Sequence, residues 1–319
     1  MTYKVLIPED VSEAGKAYLR NRGYEIKMGS GISFETLRTE VKDCHGILAR
    51  TARYPAEVLR AGTQLKVIGR HGVGVDNIDI ATATELGIYV TNAPESNAGS
   101  VAEYTLGLII AAARHFVQCD AALKNGNFEI RNQLIGNDIE GKVLGLIGVG
   151  RIGRLVARKA GGGLGMRVIG YDPFIDSATV PEVEFTDSIE EVLKNADFVS
   201  LHLPANEKTM GLIDITRLMM MKPSAYLLNA ARGGIVQEND LVEVLSEKRI
   251  AGAALDVFTE EPPSPSNPLF KLNNVTVTPH NAALTRECMD RMAVHAAQGI
   301  DEVLSGRTPT WPVNKPNAK

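Results

Sequence analysis

Short apolar runs separated by amphipathic stretches set the rhythm of the chain. KVLIP, YEIKM, GILA (46–49), LKVIG (65–69) and IYVTN (88–92) each read as a short strand. The segments between them carry helical spacing, one from about Ser12 to Asn21 and another opening at Pro55. Buried strands alternating with amphipathic helices predict a parallel sheet with helices on both faces. SVAEYTLGLIIAAARHF comes next, apolar nearly all round. It predicts a long helix buried between domains or at a subunit interface. Its Ser100 and Glu103 fit an S-x-x-E capping box. A second alternating series starts at Val143, with VLGLIGV, MRVIGYD, DFVSLHL, AYLLNA, IAGAALD and VTVTP as six strands of a doubly wound sheet. A final helix, roughly Arg286 to Ser305, and the proline-rich tail WPVNKPNAK complete the chain.

Length and composition narrow the picture. A chain of 319 residues suggests two domains, and 44% hydrophobic residues suffice for ordinary cores. Aromatic residues at 5% argue against a base-stacking nucleic-acid platform. The net charge of −4, with signs interspersed, shows no basic stripe for nucleic acid or membrane. No apolar run nears the roughly 20 residues that span a bilayer. MTYKVLIPED lacks the apolar core of a signal peptide. Cys44, Cys119 and Cys288 are scattered and outside any CxxC, so they read as reduced thiols with no metal site. The expectation is a cytoplasmic protein.

Candidate chemistry begins at VLGLIGVGRIG, Val143 to Gly153. A strand runs into a glycine turn that opens a helix. Gly148 would make the tight turn, Gly150 would admit a pyrophosphate to the backbone amides, and Gly153 would let helix and strand pack closely. Asp172 ends the next strand, where an acid meets ribose hydroxyls and repels a 2′-phosphate. NAD is therefore expected over NADP. The Gly161–Gly165 run would loosen the helix end without touching ligand. In HGVGVDN, Gly72, Val73 and Gly74 set bare amides close together, either as an anion nest or as a tight turn with Asp76 and Asn77 capping the next segment. Arg50 and Arg53 lie just past the GILA strand. Arg232, Glu261 and His280 stand at strand ends of the second series. Each alone also reads as an ordinary loop residue or a core histidine.

These motifs together resemble the D-isomer-specific 2-hydroxyacid dehydrogenases, most closely the 3-phosphoglycerate dehydrogenase-like and hydroxypyruvate reductase-like branch. The resemblance rests on GRHGVGVDNID (69–79), NAPESNAGSVAE (92–103), GLIGVGRIGR (145–154), GYDP (170–173), NAARGGIVQENDL (229–241), AGAALDVFTEEP (251–262) and TPH (278–280), in that order. The resemblance to that branch is one of motifs, and its C-terminal regulatory domains are not expected within these 319 residues. The resemblance implies an α/β fold of two Rossmann-like or flavodoxin-like parallel-sheet domains. The NAD-binding domain, 99–284, would be inserted into a substrate domain of 1–98 and 285–319, with the active site in the cleft between them.

It further implies Arg232, Glu261 and His280 as the catalytic set. Arg232 offers a fork of donors to a 2-oxo acid. His280 gives the proton that the reduced carbonyl needs, and Glu261 orients its ring and favours its charged form. By the same resemblance Arg151 and Ile152 meet the cofactor at the helix start, Leu203 and Pro204 near the adenine, Ala230 and Ala231 near the nicotinamide, and Asp256 toward the carboxamide. The Gly72–Gly74 loop would hold the substrate carboxylate. Arg50 would reach a phosphate, which puts 3-phosphoglycerate first and hydroxypyruvate or glyoxylate second.

After His280 the chain has Asn281-Ala282, where Leu or Ile with Gly is more usual. That unsettles the backbone contact just past the histidine. Of the other histidines, His71 reads either as a ligand contact or as structure, His202 as lining the adenine side, and His45, His115 and His295 as structural or exposed. A homodimer through the nucleotide domain is expected. Two competing readings are an NAD(H)-sensing scaffold of the corepressor kind and a formate dehydrogenase-like enzyme. Glu261 argues against the second, because formate oxidation releases no hydroxyl proton.

Overall fold

The apolar runs of the chain make two parallel sheets. In the computed structural model, which describes residues 2–316, contacts divide the chain into one unit up to Asn97 that resumes at Leu284, and a second unit, Ala98–Ala283.

The first unit holds β1 (Lys4–Ile7), β2 (Glu25–Met28), β3 (Gly46–Ala49), β4 (Val67–Arg70) and β5 (Tyr89–Thr91), in the order β2-β1-β3-β4-β5. Helices α1 (Glu13–Arg20), α2 (Phe34–Glu40), α3 (Ala56–Ala61) and α4 (Ile80–Glu85) supply the crossovers. Burial tracks position in the sheet. Central β3 is buried at all four residues and edge β2 at none. The Ser12 hydroxyl accepts the Ala14 N–H and the Asp79 carboxylate the Thr82 N–H, so α1 and α4 start where a side-chain oxygen meets an orphan donor.

The second unit begins with α5 (Ala98–Arg114) and α6 (Phe116–Lys124), joined at His115, whose φ is +52°. Its sheet comprises β6 (Val143–Ile147), β7 (Arg167–Tyr171), β8 (Glu184–Phe185), β9 (Phe198–Leu201), β10 (Tyr226–Asn229), β11 (Gly252–Leu255) and β12 (Val275–Val277), ordered β12-β11-β10-β9-β6-β7-β8 and parallel throughout. Helices α7 (Arg151–Leu164), α8 (Ile189–Asn195), α9 (Ile215–Leu218) and α10 (Glu238–Ser246) connect the strands. Apolar clusters fill both faces, one around Val199, Leu227 and Leu255 and the other around Leu146, Phe198 and Leu228. The chain then returns to the first unit. There α11 (Arg286–Leu304) packs Ala293, Ala296, Ala297 and Ile300 against Val5, Leu48 and Val67. The tail runs beside β5, where Val313 N–H donates to Val90 O at 2.8 Å. The Asn314 amide donates to Ile88 O at 2.9 Å. The last three residues of WPVNKPNAK lie outside the described residues.

Four local expectations change. Strand β8 is a seventh strand, too short to leave a periodic signal. Helix α5 starts at Ala98, not at a Ser100 cap. Ser100 is buried inside the first turn, and Glu103 accepts from Lys159 of α7 at 3.1 Å. Burial of Ala98, Val101 and Ala102 carries the helix upstream of the serine. The apolar girth of α5 is covered within its own unit, by α7 and by β10, β11 and β12. The exposed apolar side chains lie next to it, on α6 and beyond. Glycines 161–163 stay helical, and α7 ends at Gly165 with φ +64°. Among the described residues no single helix is long and apolar enough to cross a membrane.

Candidate active site

The glycine loop sits where strand order reverses in the second sheet, between β6 and β9. Such a switch point leaves a crevice at the carboxyl ends of the strands. Gly148 has φ +95°, and a β-carbon on it would lie 2.5 Å from His202 O. On Gly153 a β-carbon would strike the Gly148 carbonyl. Only bare glycines let this turn close on both neighbours. Two amides of the loop are already used: Gly148 N–H donates to Tyr171 O at 2.9 Å and Val149 N–H to the Asp172 carboxylate at 2.9 Å. Helix α7 then begins at Arg151 and Ile152 with Gly150 as its cap and no side-chain bond. Its first-turn amides are thus open to an anion. Asp172 also accepts Phe174 N–H at 2.9 Å, so two of its roughly four lone-pair sites are filled. Leu203 is half-buried and Pro204 exposed just past β9.

Adjacent strands β10, β11 and β12 each end in a turn that carries one predicted catalytic residue. The Asn229 side chain braces the first turn: its amide donates to Arg232 O at 2.9 Å and its oxygen accepts Ala231 N–H at 3.0 Å. Half-buried Ala230 and Ala231 lead to Arg232, whose guanidinium donates to Ala231 O at 2.7 Å. Gly233 is next, and a β-carbon there would collide with the Phe258–Thr259 backbone. The Arg232 turn and the segment carrying Glu261 therefore touch backbone to backbone. Glu238, first in α10, clamps that segment by accepting Thr259 N–H at 3.1 Å and the Asn267 amide at 2.7 Å. Glu261 accepts Phe258 N–H at 3.1 Å on one oxygen and meets His280 Nδ1 at 2.6 Å with the other. Burial pushes its carboxyl up, but the bonds to His280 and Phe258 and the Arg232 charge outweigh this and hold it below the usual range. With Nδ1 engaged, His280 keeps Nε2 for a second partner. The ring is half exposed.

His280 adopts φ +50°. A non-glycine residue in this region costs about 1–3 kcal/mol and persists only where its surroundings impose it. Asp256 does part of this. Its carbonyl accepts His280 N–H at 2.7 Å. Its carboxylate takes the Thr278 hydroxyl at 2.6 Å, Asn281 N–H at 3.0 Å and Ala282 N–H at 2.9 Å. Expected at a carboxamide, Asp256 is instead 0% exposed and spent on this turn. Tyr104 of α5 donates to Asn281 Oδ1 at 2.6 Å. Burial raises its phenol, the Thr278 hydroxyl lowers it and the Asp256 charge raises it, for a net upward shift that keeps it a donor.

In the first unit, Arg50 lies just past β3 at the switch point between β1 and β3. The Glu9 carboxylate fastens this loop by accepting Thr51 N–H and Ala52 N–H, each at 2.7 Å, and Arg50 reaches Asp10 O at 3.4 Å. Gly72 lies past β4 with φ +143°. Its N–H already donates to Arg70 O at 2.9 Å, so the expected nest loses one of three amides. The Asn92 amide donates to Val73 O at 2.8 Å and holds the loop. Val73 and Gly74 are half-buried. The Arg70 guanidinium lies against Gly72 and bonds His71 O, a cation that pattern reading passed over.

The remaining histidines have structural settings. His71 is 3% exposed, and burial, then the Arg70 and Arg50 charges, push it down to about 4. Burial pushes His202 down to about 4 as well, with Nε2 3.0 Å from the Ser200 hydroxyl. His45 accepts Lys4 N–H at 3.1 Å, and His295 stacks on Trp311 with centroids 4.4 Å apart. Among the described residues no three His, Cys, Asp or Glu side chains gather as for a metal ion. Asn229, Glu238, Thr278 and Tyr104 escaped pattern reading, because their partners are distant in sequence or their role is to hold a turn.

Comparisons with known proteins bear on this geometry. Residues 106–282 match the model of the D-isomer specific 2-hydroxyacid dehydrogenase, NAD binding domain. Over 317 residues the chain is 42% identical to a D-3-phosphoglycerate dehydrogenase of Methanocaldococcus jannaschii, covering 98% of this chain and 60% of that one. The chain thus spans about 60% of the length of the first curated relatives it matches. Among solved structures, a Thermus thermophilus protein superimposes with TM-score 0.90 at 38% identity, covering 98% of this chain and 100% of that one. The D-lactate dehydrogenase of Lactobacillus jensenii, solved with NAD+, gives TM-score 0.80 at 28% identity, with coverage of 98% and 100%.

Proposed function

The chain belongs to the D-isomer-specific 2-hydroxyacid dehydrogenase family, and from that premise we propose that it interconverts a small D-2-hydroxy acid and its 2-oxo acid with NAD. The observation that carries this reading is the 2.6 Å pair of Glu261 and His280 beside the Arg232 turn, all at the carboxyl ends of neighbouring strands. A 2-oxo acid is an anion with a carbonyl to reduce. The Arg232 fork matches its carboxylate and carbonyl oxygens. NAD, when held in the second unit, would supply the hydride to C2 or take it back. His280 Nε2 gives a proton to the oxygen on which charge builds, and takes it back in the oxidative direction. Glu261 fixes the ring through Nδ1 and balances the charge of its protonated form.

The second unit fits a dinucleotide. The uncapped start of α7 suits a pyrophosphate, and the free lone pairs of Asp172 suit ribose hydroxyls while repelling a 2′-phosphate. Gly148, Gly150, Arg151, Ile152 and Gly153 would hold the phosphates, with Leu203, Pro204, Ala230 and Ala231 along the rest of the molecule.

For the substrate we place 3-phosphoglycerate and its 2-oxo form first, then hydroxypyruvate and glyoxylate. Support comes from Arg50 at a switch point, from the Gly72–Gly74 loop, and from the names of the relatives. A homodimer through the second unit is supported by the exposed Phe116, Val117 and Leu123 of α6, with Phe128 and Ile135 beyond it.

Turnover of NADH with phosphohydroxypyruvate, hydroxypyruvate and glyoxylate tests the reading. His280→Ala should lower kcat by about 10²–10⁴-fold with NADH binding kept. Arg50→Ala should erode mainly the phosphorylated substrate, by about 1.5–3 kcal/mol. Wild-type turnover in His280→Ala would remove the proposed site. Equal loss on phosphorylated and plain substrates would remove the phosphate reading.

A further inference from the structure

We infer that Tyr104 and Asn281 form a latch that fixes His280 in its left-handed backbone geometry, which makes both of them positioning residues for the proton donor. The inference rests on the role proposed above for His280. Three described non-glycine residues have positive φ: His115, Lys248 and His280. His280 is the one whose side chain must also meet a carboxylate, Glu261 Oε2, at 2.6 Å. Such backbone needs ties on both sides of the strained residue. Asp256 ties the main chain, through its carbonyl to His280 N–H and its carboxylate to Asn281 and Ala282 N–H. These bonds all come from one residue at the end of β11. The Asn281 side chain adds a tie to a different element, 2.6 Å from the Tyr104 phenol on α5.

Tyr104 sits on α5, which packs on α7 and on β10, β11 and β12. The latch therefore joins the His280 turn to a helix buried in the unit's core. Released from it, the turn can relax toward negative φ, which swings the imidazole away from Glu261. The Asn281 side chain gives the phenol an acceptor that an apolar side chain would not.

The test is a double-mutant cycle on the full chain with NADH and hydroxypyruvate or phosphohydroxypyruvate. Tyr104→Phe keeps the ring and its packing while removing the hydroxyl. Asn281→Ala removes the same bond without touching α5. Each should lower kcat by about 2- to 10-fold with KM for NADH unchanged. The double variant should lose less than the sum of the two single losses, because the Tyr104–Asn281 bond is counted in both. A second readout needs no turnover. In protein with 15N-labelled histidine, the His280 Nδ1 proton resonance, assigned by its absence in His280→Ala, should shift in both single variants. Additive losses, or an unmoved resonance, would overturn the latch. Full kcat in Tyr104→Phe while His280→Ala is inactive would overturn the latch and leave the proton donor standing. Wild-type turnover in His280→Ala would overturn the underlying reading instead.

Discussion

Lowering the pH from about 7.5 to about 5 should cost the fold about 2 kcal/mol through His71 alone. The ring is 3% exposed, and its Nε2 has no hydrogen-bond partner among the described residues. Burial, then the Arg70 and Arg50 charges, push it down to about 4. An unfolded histidine titrates near 6.5. Between those values the unfolded chain holds the proton and the native chain does not, so stability is full above about pH 6.5 and falls as pH drops toward 4. The full separation is worth about 3 kcal/mol, of which about 2 kcal/mol is lost by pH 5. Urea midpoints at the two pH values, for wild type and His71→Met, isolate the effect. Methionine fills a similar volume and does not titrate, and its baseline effect cancels in the pH difference. Wild type should lose about 2 kcal/mol more than the variant. Equally steep pH dependence in both would refute the claim that His71 is buried and neutral.

Three further outcomes are expected. Glu261→Gln keeps a hydrogen-bonding group near His280 but removes the charge. Because the pair is half exposed, kcat/KM should fall by about 5-fold, equivalent to about 1 kcal/mol, and an unchanged value would show that the carboxylate's charge is idle. Gly153→Ala drives a β-carbon into the Gly148 carbonyl; urea unfolding should show a loss of about 1–3 kcal/mol and NADH titration a weaker affinity, whereas full stability would mean the loop and helix are not so close. Light scattering at micromolar concentration should find a dimer that Phe116→Lys with Leu123→Lys converts to monomer, and a monomeric wild type would count against α6 as the contact.

The sequence alone determined the two α/β sheets, the glycine loop and the three polar strand ends, because these are written in near neighbours. Burial of β3 and β10 at every position shows as unbroken apolar runs. The Gly148 turn shows as glycines at fixed spacing. The pattern failed where a local signal was absent or outvoted. Two-residue β8 has no period, and the capping signal at Ser100 yielded to burial of the turn before it. What only the tertiary structure decided is how the site is braced. Asp256 is 25 residues from Asn281, Glu238 is 29 from Asn267, and Tyr104 is 177 from Asn281. A hydrogen bond depends on two groups meeting in space, and the chain between such partners leaves no mark of it on either one. For the same reason an aspartate that reads as a ligand contact in sequence becomes, once the strands are packed, the buried anchor of the histidine turn.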